Sequence, residues 1–511
     1  MKARFFNNPF LFAAPLLLAM LTNITAQAQL GGVPVWTNRY NGPANADDLA
    51  RAMVVDSSGN VLVTGSSTGS GSGLDYATIK YSATGVALWT NLYNGPGNGD
   101  DVAKAIAVDG TGNVFVTGFS AGIGVGRDYT TVGYSSAGVA LWTNRYHGAA
   151  DGNNEAVAVA ADGSGNVLVT GFSAGANGYY SYATIKYSGA GVPLWTNRYH
   201  GPASADDTAS ALAVDSTGNV FVTGFSASTY FETIKYSSTG APLWTNGYGP
   251  TYGAPAAVAV DRSGDVFVTG TSGGEFATLK YTGAGLLLWT NVGGGPGSTR
   301  AIVVDGTGNV FVTGDSHFHI GDSIYETKKY SSSGVVLWTA YYFSSFGNPS
   351  DYPTAMAVDA SGNVFVTGYS GNYGGAHDYA TVAYSAAGAQ LWVNRYNGPG
   401  NGDDRASGLA EDGSGNVFVT GYSTGIGSGY DFATIKYSLI PPRLAIVRTA
   451  TNTLAVSWPS PSTDFILQQN TDGITTVNWS NVVGAPSDDG MTRAVIVAPP
   501  AGNRFYRLLH P

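Results

Sequence analysis

The 511-residue sequence has no cysteine. That excludes disulfides, thiolate zinc sites, iron–sulfur ligation and cysteine nucleophiles. Charge is scarce as well. Asp, Glu, Lys and Arg together make up 11 % of the chain, less than half the usual quarter. The balance is acidic, with 34 Asp+Glu against 24 Lys+Arg and a formal net charge of −10. Nucleic acid is therefore not an expected partner, because phosphate contact needs basic patches. No segment after the N-terminus approaches the 18 apolar residues of a membrane-spanning helix, so no transmembrane segment is expected. In place of charge there are 72 Gly, 31 Tyr and 43 % hydrophobic residues. Such a chain has enough apolar surface for a core, and its composition suits a β protein with many tight turns.

The first 28 residues have the form of an export signal. Lys2 and Arg4 precede an apolar stretch from Pro9 to Leu21, and Ala26-Gln27-Ala28 supplies the small-x-small cleavage pattern. The mature chain would begin near Gln29, and the protein is expected to be secreted, periplasmic or at the cell surface.

One unit is then written eight times. Val-Thr-Gly recurs with its glycine at Gly65, Gly118, Gly171, Gly224, Gly270, Gly314, Gly368 and Gly421, steps of 44 to 54 residues. The second copy reads as four strands. Strand a runs from Ala103 to Asp109 and strand b from Val114 to Gly118. Strand c runs from Tyr129 to Tyr134 and strand d from Ala140 to Tyr146. Four antiparallel strands at this period are the mark of a propeller blade. Small residues such as Ala105 and Ala107 suit strand a to the crowded centre, and the tryptophan of strand d fills the outer gap. The eight tryptophans, Trp36 to Trp392, are offset from the other strands: Trp36 precedes the first strand a, and the last strand c has no strand d after it. The N-terminal strand Val33 to Tyr40 is thus expected to complete the eighth blade and hide a sheet edge.

The core Ala107-Val108-Asp109-x-x-Gly112-Asn113-Val114-Phe115-Val116-Thr117-Gly118 resembles the SBBP β-propeller repeat family. The resemblance extends over residues 33 to 438. It implies a propeller and no common enzymatic activity; the family label implies seven blades where this chain counts eight. After Pro441-Pro442, residues 443–511 read as a small β-sandwich. Ser457-Trp458-Pro459, Leu467-Gln468-Gln469, Asn478-Trp479 and Phe505-Tyr506-Arg507-Leu508 resemble a fibronectin-III-like module, which implies an accessory role in attachment or sorting.

Several constellations are candidates for chemistry. Gly-x-Ser-x-Gly occurs around Ser120, Ser173, Ser272 and Ser423, but it leads from a strand into a loop rather than a helix, and repetition favours a structural role. The d–a and b–c loops share one face. The former carry Asp47-Asp48, Asp100-Asp101, Asp206-Asp207 and Asp403-Asp404, and the latter end in Asp75, Asp128, Asp378 and Asp431. Asn94, Asn98, Asn397 and Asn401 are interleaved. These oxygens are candidates for Ca²⁺, which takes six to eight oxygen ligands, or for sugar hydroxyls; the plain alternative is capping of turns. No continuous Asp-x-Asp-x-Asp-Gly loop is present. His147, His200, His317, His319 and His377 lie on the same face, and His317 with His319 is the one pair spaced to share a metal. The stretch from Tyr248 to Phe346 departs most from the repeat. The sequence therefore points to an all-β, eight-bladed propeller with a C-terminal sandwich. Its expected function is a non-enzymatic binding or interaction scaffold for a glycan or protein ligand on the Asp/Asn-rich face. The alternative is a polysaccharide-active enzyme using carboxylates from several blades.

Overall fold

The computed structural model describes residues 32–438 except 125, 228–229, 250–251, 318–321, 345–348 and 373–374. Beyond them it describes residues 444–449, 453–459, 466–473, 478–488, 492–497 and 504–509. The expected signal segment, the linker at 439–442 and His319 lie outside the described residues. Among the described residues every regular element is a strand, and no helix is long and apolar enough to cross a membrane.

Blade 2 shows why the repeat folds as it does. Its strands are Asp101–Val108 (a), Val114–Ala121 (b), Arg127–Tyr134 (c) and Ala140–Tyr146 (d), hydrogen-bonded antiparallel in that order. Three of the four exceed the lengths read from the sequence, because pairing continues into the loop ends. Strand b is buried on both faces, and Val114, Phe115 and Val116 are fully enclosed. The a–b turn is closed by Asp109, which accepts backbone N–H groups from Thr111 at 2.8 Å and Asn113 at 2.9 Å. Burial opposes the Asp109 charge, but hydrogen bonds from Thr111 and Asn113 outweigh it and hold the carboxyl below its usual range. In every blade a buried threonine of strand b meets one of strand c, as Thr117 meets Thr131 at 2.9 Å.

The Val-Thr-Gly signature has a steric cause. Strand a bulges at Lys104, between Ala103 and Ala105, which lifts its backbone over strand b. A Cβ on Gly118 would stand 2.0 Å from the Val102 carbonyl oxygen. The same bulge and the same close approach recur in the first blade, where a Cβ on Gly65 would stand 2.0 Å from the Leu49 carbonyl oxygen.

Eight such units follow one another. The last consists of Asp404–Glu411, Asn416–Thr424 and Tyr430–Ser438, with the N-terminal strand Val33–Tyr40 as its outer member. The pairing sets Trp36 opposite Lys436 and Tyr40 opposite Phe432. The inner strand of the first blade, Asp48–Val55, packs both on that of blade 2 and on Asp404–Glu411. One expectation is corrected. Between blades 5 and 6 there is no separate d and a strand: Leu287–Val304 runs through both and joins them into a seven-stranded sheet. The passage is Gly293-Gly294-Gly295, all at positive φ, where blades 1, 2 and 7, for example, are followed by loops rich in Asp and Asn.

Successive blades are joined by side chains reaching for backbone. Trp89 of strand d in blade 1 lies over Gly138 in the c–d turn of blade 2, and its Nε1 donates to the Ser136 carbonyl at 3.2 Å. Asn91 donates to the Gly138 carbonyl at 2.7 Å. Lys80 of strand c donates to the same Ser136 carbonyl at 3.2 Å and pairs with Asp56 at 2.9 Å. Deeper in the seam, the Tyr76 hydroxyl donates to the Thr130 carbonyl at 3.1 Å. Where the lysine is replaced by Gly133 or Ala383, the tryptophan turns to stack on a phenylalanine: Trp142 on Phe115 at 25° and Trp392 on Phe365 at 27°. With the lysine in place the corresponding angle is wider, as at Trp289 and Phe267 with 54°.

The C-terminal region forms two sheets. One contains Ala445–Arg448, Leu454–Pro459, Thr492–Val497 and Ser487–Asp488, and the other Ser480–Asn481, Ile466–Asn470 and Phe505–Leu509. Val456, Trp458, Leu467, Val495 and Val497 share a core between them.

Gly138 has φ +82° and no room for a Cβ, which would meet Trp89 at 2.7 Å, whereas a Cβ on Gly110 would meet nothing within 4 Å. Gly138→Ala should lower the thermal midpoint by the equivalent of about 1–3 kcal/mol. Gly110→Ala should leave it unchanged; equal melts of the two variants would remove the turn–tryptophan contact from the account.

Candidate functional site

The d–a and b–c loops lie together at one end of the blades, as the sequence implied, but their acids face inward. The second member of each pair opens strand a and is buried: Asp48, Asp101, Asp207 and Asp404 are 0–1 % exposed. Each accepts the N–H of a glycine six residues earlier, at 2.7 Å from Gly201 to Asp207 and from Gly398 to Asp404. Burial pushes the carboxyls of Asp48 and Asp404 up, against the hydrogen bonds they accept. The first member reaches the preceding blade and caps its strand c. Asp100 accepts from Leu74 N at 3.1 Å, Asp206 from Tyr180 N at 2.8 Å, Asp403 from His377 N at 2.9 Å and Asp47 from Tyr430 N at 3.0 Å. Asn98 and Asn401 adopt φ of +50°, and Asn98 donates to the Gly71 carbonyl of the preceding blade.

The b–c acids are held by arginines of strand d. Arg145 reaches Asp128 at 2.8 Å, Arg39 reaches Asp431 at 2.8 Å and Arg395 reaches Asp378 at 3.0 Å. Asp75 accepts from the Ser72 hydroxyl at 3.0 Å. Strand-d arginines also occupy serines of Gly-x-Ser-x-Gly: Arg145 donates to Ser120 Oγ at 2.5 Å, Arg39 to Ser423 at 2.6 Å and Arg198, which holds no acid, to Ser173 at 2.7 Å. A guanidinium donates only and cannot take the hydroxyl proton. The Ser173 hydroxyl is spent on Asn154 Oδ1 at 2.7 Å, and Ser423 also bonds the buried Asp404 carboxyl, so both are tied into the loop frame.

Among the described residues no three His, Asp or Glu side chains gather where they could hold a metal ion. The acid pairs named for Ca²⁺ stay apart, each on its own loop. His317 places Nδ1 at 2.5 Å from the Asp322 carbonyl and Nε2 at 3.6 Å from Asp315. His200 meets Asp207 at 3.0 Å, and His377 meets Asp403 at 3.2 Å. His147 is half exposed and stands between Asp128, 2.7 Å from Nδ1, and Asp151, 3.2 Å from Nε2.

One cavity on this face was not legible in the sequence. It has a volume of about 370 Å³ and lies at the seam of blades 8 and 1, lined by Asp47, Leu49, Arg51, Ser407, Tyr422 and Tyr430 among others. Arg51 is the bulged residue of its strand a. A bulge side chain carries no signal that distinguishes it from its neighbours until the pairing is known. Gly429, at φ +74°, brings the chain so close that a Cβ there would meet Asp47 Oδ1 at 2.4 Å.

Residues 337–375, from the outer strand of blade 6 into blade 7, match the SBBP beta-propeller repeat family model. No curated protein matches the chain. Among solved structures, a protein of unknown function from Bacteroides caccae is similar at 14 % identity, covering 55 % of this chain and 96 % of its own, with a TM-score of 0.33. A Lactobacillus plantarum protein is similar at 13 % identity, covering 66 % and 95 %, with a TM-score of 0.44. A streptogramin B lyase is similar at 11 % identity, covering 65 % and 93 %, with a TM-score of 0.38.

Hydrogen bonds that His147 donates, first to Asp128 and then to Asp151, raise its pKa above the ordinary 6.5. A histidine raised on folding stabilises the native state below its unfolded pKa and loses that contribution as pH climbs through the folded value. A proton NMR titration should therefore give a His147 midpoint above 6.5, and Asp128→Asn should move it down. An unmoved midpoint would contradict the pairing.

Proposed function

We infer that the protein is an exported, non-enzymatic binding scaffold that presents its loop face to a carbohydrate ligand. The observation that carries this reading is the division of labour within the loops. Positions that repeat from blade to blade are consumed by the fold: the acid pairs cap backbone, and most of the serines and b–c acids receive arginine. The tips of the same loops face solvent and change among blades, with isoleucine at the b–c tip in blades 2 and 8 but not in blades 1 and 3. Ile123 is 84 % exposed, Tyr252 77 % and Ile426 80 %. Tyr179 is exposed beside His200, the two rings stacked at 18°. A constant frame with variable apolar and aromatic tips suits recognition, since aromatic rings offer flat apolar faces with a polar edge. The Ca²⁺ part of the reading is left to the acids that stay exposed, Asp47, Asp100 and Asp206. The C-terminal sandwich, resembling a fibronectin-III-like module, serves as an accessory unit.

The test is a thermal-shift series on residues 29–511 with EDTA, Ca²⁺ and a panel of soluble neutral and acidic oligosaccharides. A glycan at 100 times its dissociation constant should add about 2.7 kcal/mol. Replacing Tyr179 and Tyr252 with alanine should diminish that response without changing the melt of the free protein. The reading fails if no glycan shifts the melt. It also fails if a polysaccharide is cleaved with release of new reducing ends, which would favour the enzyme.

A further inference from the structure

We propose that the cavity between blades 8 and 1 binds a carboxylate-bearing sugar, a uronate residue of an acidic glycan. This rests on the reading of the loop face as a carbohydrate-binding surface and names the class of ligand at one place on it.

The first ground is an uncommitted cation. Three blades carry a basic residue at the bulge of strand a: Arg51, Lys104 and Arg300. Lys104 is paired with Glu155, and Arg300 with Asp315 at 3.0 Å. Arg51 is exposed and has no carboxylate within salt-bridge distance among the described residues. In an acidic chain whose other strand-d and bulge cations on this face are held by ion pairs or, for Arg198, by hydrogen bonds to Ser173, Ala174 and Tyr146, a guanidinium opening onto a cavity is a ready partner for an anion. Its planar fork matches a carboxylate in two parallel hydrogen bonds.

The second ground is the rest of the wall. Tyr422 and Tyr430 meet edge to face with centroids 4.9 Å apart, so the cavity has an aromatic floor suited to the C–H face of a pyranose. The equivalent pair at the seam of blades 3 and 4 has the same geometry, but there it is Phe172 and Tyr180, and Ser210 stands where blade 1 has Arg51. The hydroxyl of Tyr422 and the charge of Arg51 thus occur together at this seam. Ser407 donates its own proton to the Ala50 carbonyl at 2.8 Å, which orients its oxygen and leaves it able to accept from a sugar hydroxyl. Asp47 spends Oδ1 on Tyr430 N and keeps a second oxygen for another hydroxyl. Cation, aromatic face and hydroxyl partners around about 370 Å³ fit one or two sugar units carrying one negative charge.

The experiment is isothermal titration of residues 29–511 with trigalacturonate, with its methyl ester, and with trigalactose. Each is repeated on Arg51→Gln and Arg51→Lys. Trigalacturonate should bind, and a charge-assisted contact should make its affinity about 10- to 100-fold higher than that of the ester. Arg51→Gln should erase that difference with the melt unchanged, Arg51→Lys should restore part of it, and added salt should weaken the acid form alone. Equal binding of acid and ester, or acid binding that survives Arg51→Gln, would overturn this assignment and leave the carbohydrate-binding reading standing. Failure of all three ligands here would overturn the assignment; failure of the whole oligosaccharide panel would overturn both.

Discussion

The structure depends on side-chain donors of one blade reaching backbone carbonyls of the next. A four-stranded sheet buries little by itself, and most seams here are dressed with the same kinds of donor. Trp Nε1, Asn Nδ2 and Lys Nζ converge on one turn, with a tyrosine hydroxyl deeper in, as between blades 1 and 2. Ala340 replaces the asparagine after Trp338, and Phe231, Phe276 and Phe432 replace the tyrosine. Backbone acceptors make the contact tolerant of sequence in the receiving blade, which needs only the glycine that lets the indole lie flat on its turn. The lysine is the costliest member to bury, and it is accommodated because its ammonium has both a carboxylate and a carbonyl. Where it is missing, as at Gly133, the indole takes over its space by rotating onto Phe115. The seams are therefore built from one rule with two packings.

This dependence explains what could be read from the sequence. Strand positions, the eightfold count and the offset of Trp36 were legible because they are written as periodic apolar and glycine signals. The N-terminal strand pairs with Tyr430–Ser438 as that offset implied. The fate of the acids was not legible. Asp100 and Asp101 look alike in the chain, yet one caps a strand in the preceding blade and the other folds its own loop. Both partners are backbone amides, and an amide leaves no trace in residue identity. The continuous strand Leu287–Val304 was not legible either: the sequence led to a separate d and a strand there, and only the pairing shows one strand passing through Gly293-Gly294-Gly295. Arg51 was invisible for a related reason: its freedom is defined by the absence of the Glu155 or Asp315 that the other bulge cations have.

A frame that consumes its own repeated polar groups constrains function. The residues that catch the eye as a motif are the least available to a ligand, and the informative ones are those where a blade departs from its siblings. Exposed tips such as Ile123 and Tyr252, and the seam carrying Arg51 and Tyr422, are such departures. They lie on the face where the d–a and b–c loops meet.

The central claim is that the chain's N-terminal strand is an integral member of the last blade, joining the two ends of the array by the same seam contacts found elsewhere. Hydrogen exchange of residues 29–511 tests it most directly. The account predicts that amides of Val33–Tyr40 exchange as slowly as those of an internal outer strand such as Ala140–Tyr146. Exchange of Val33–Tyr40 at the rate of an unstructured segment, with the other blades protected, would contradict it.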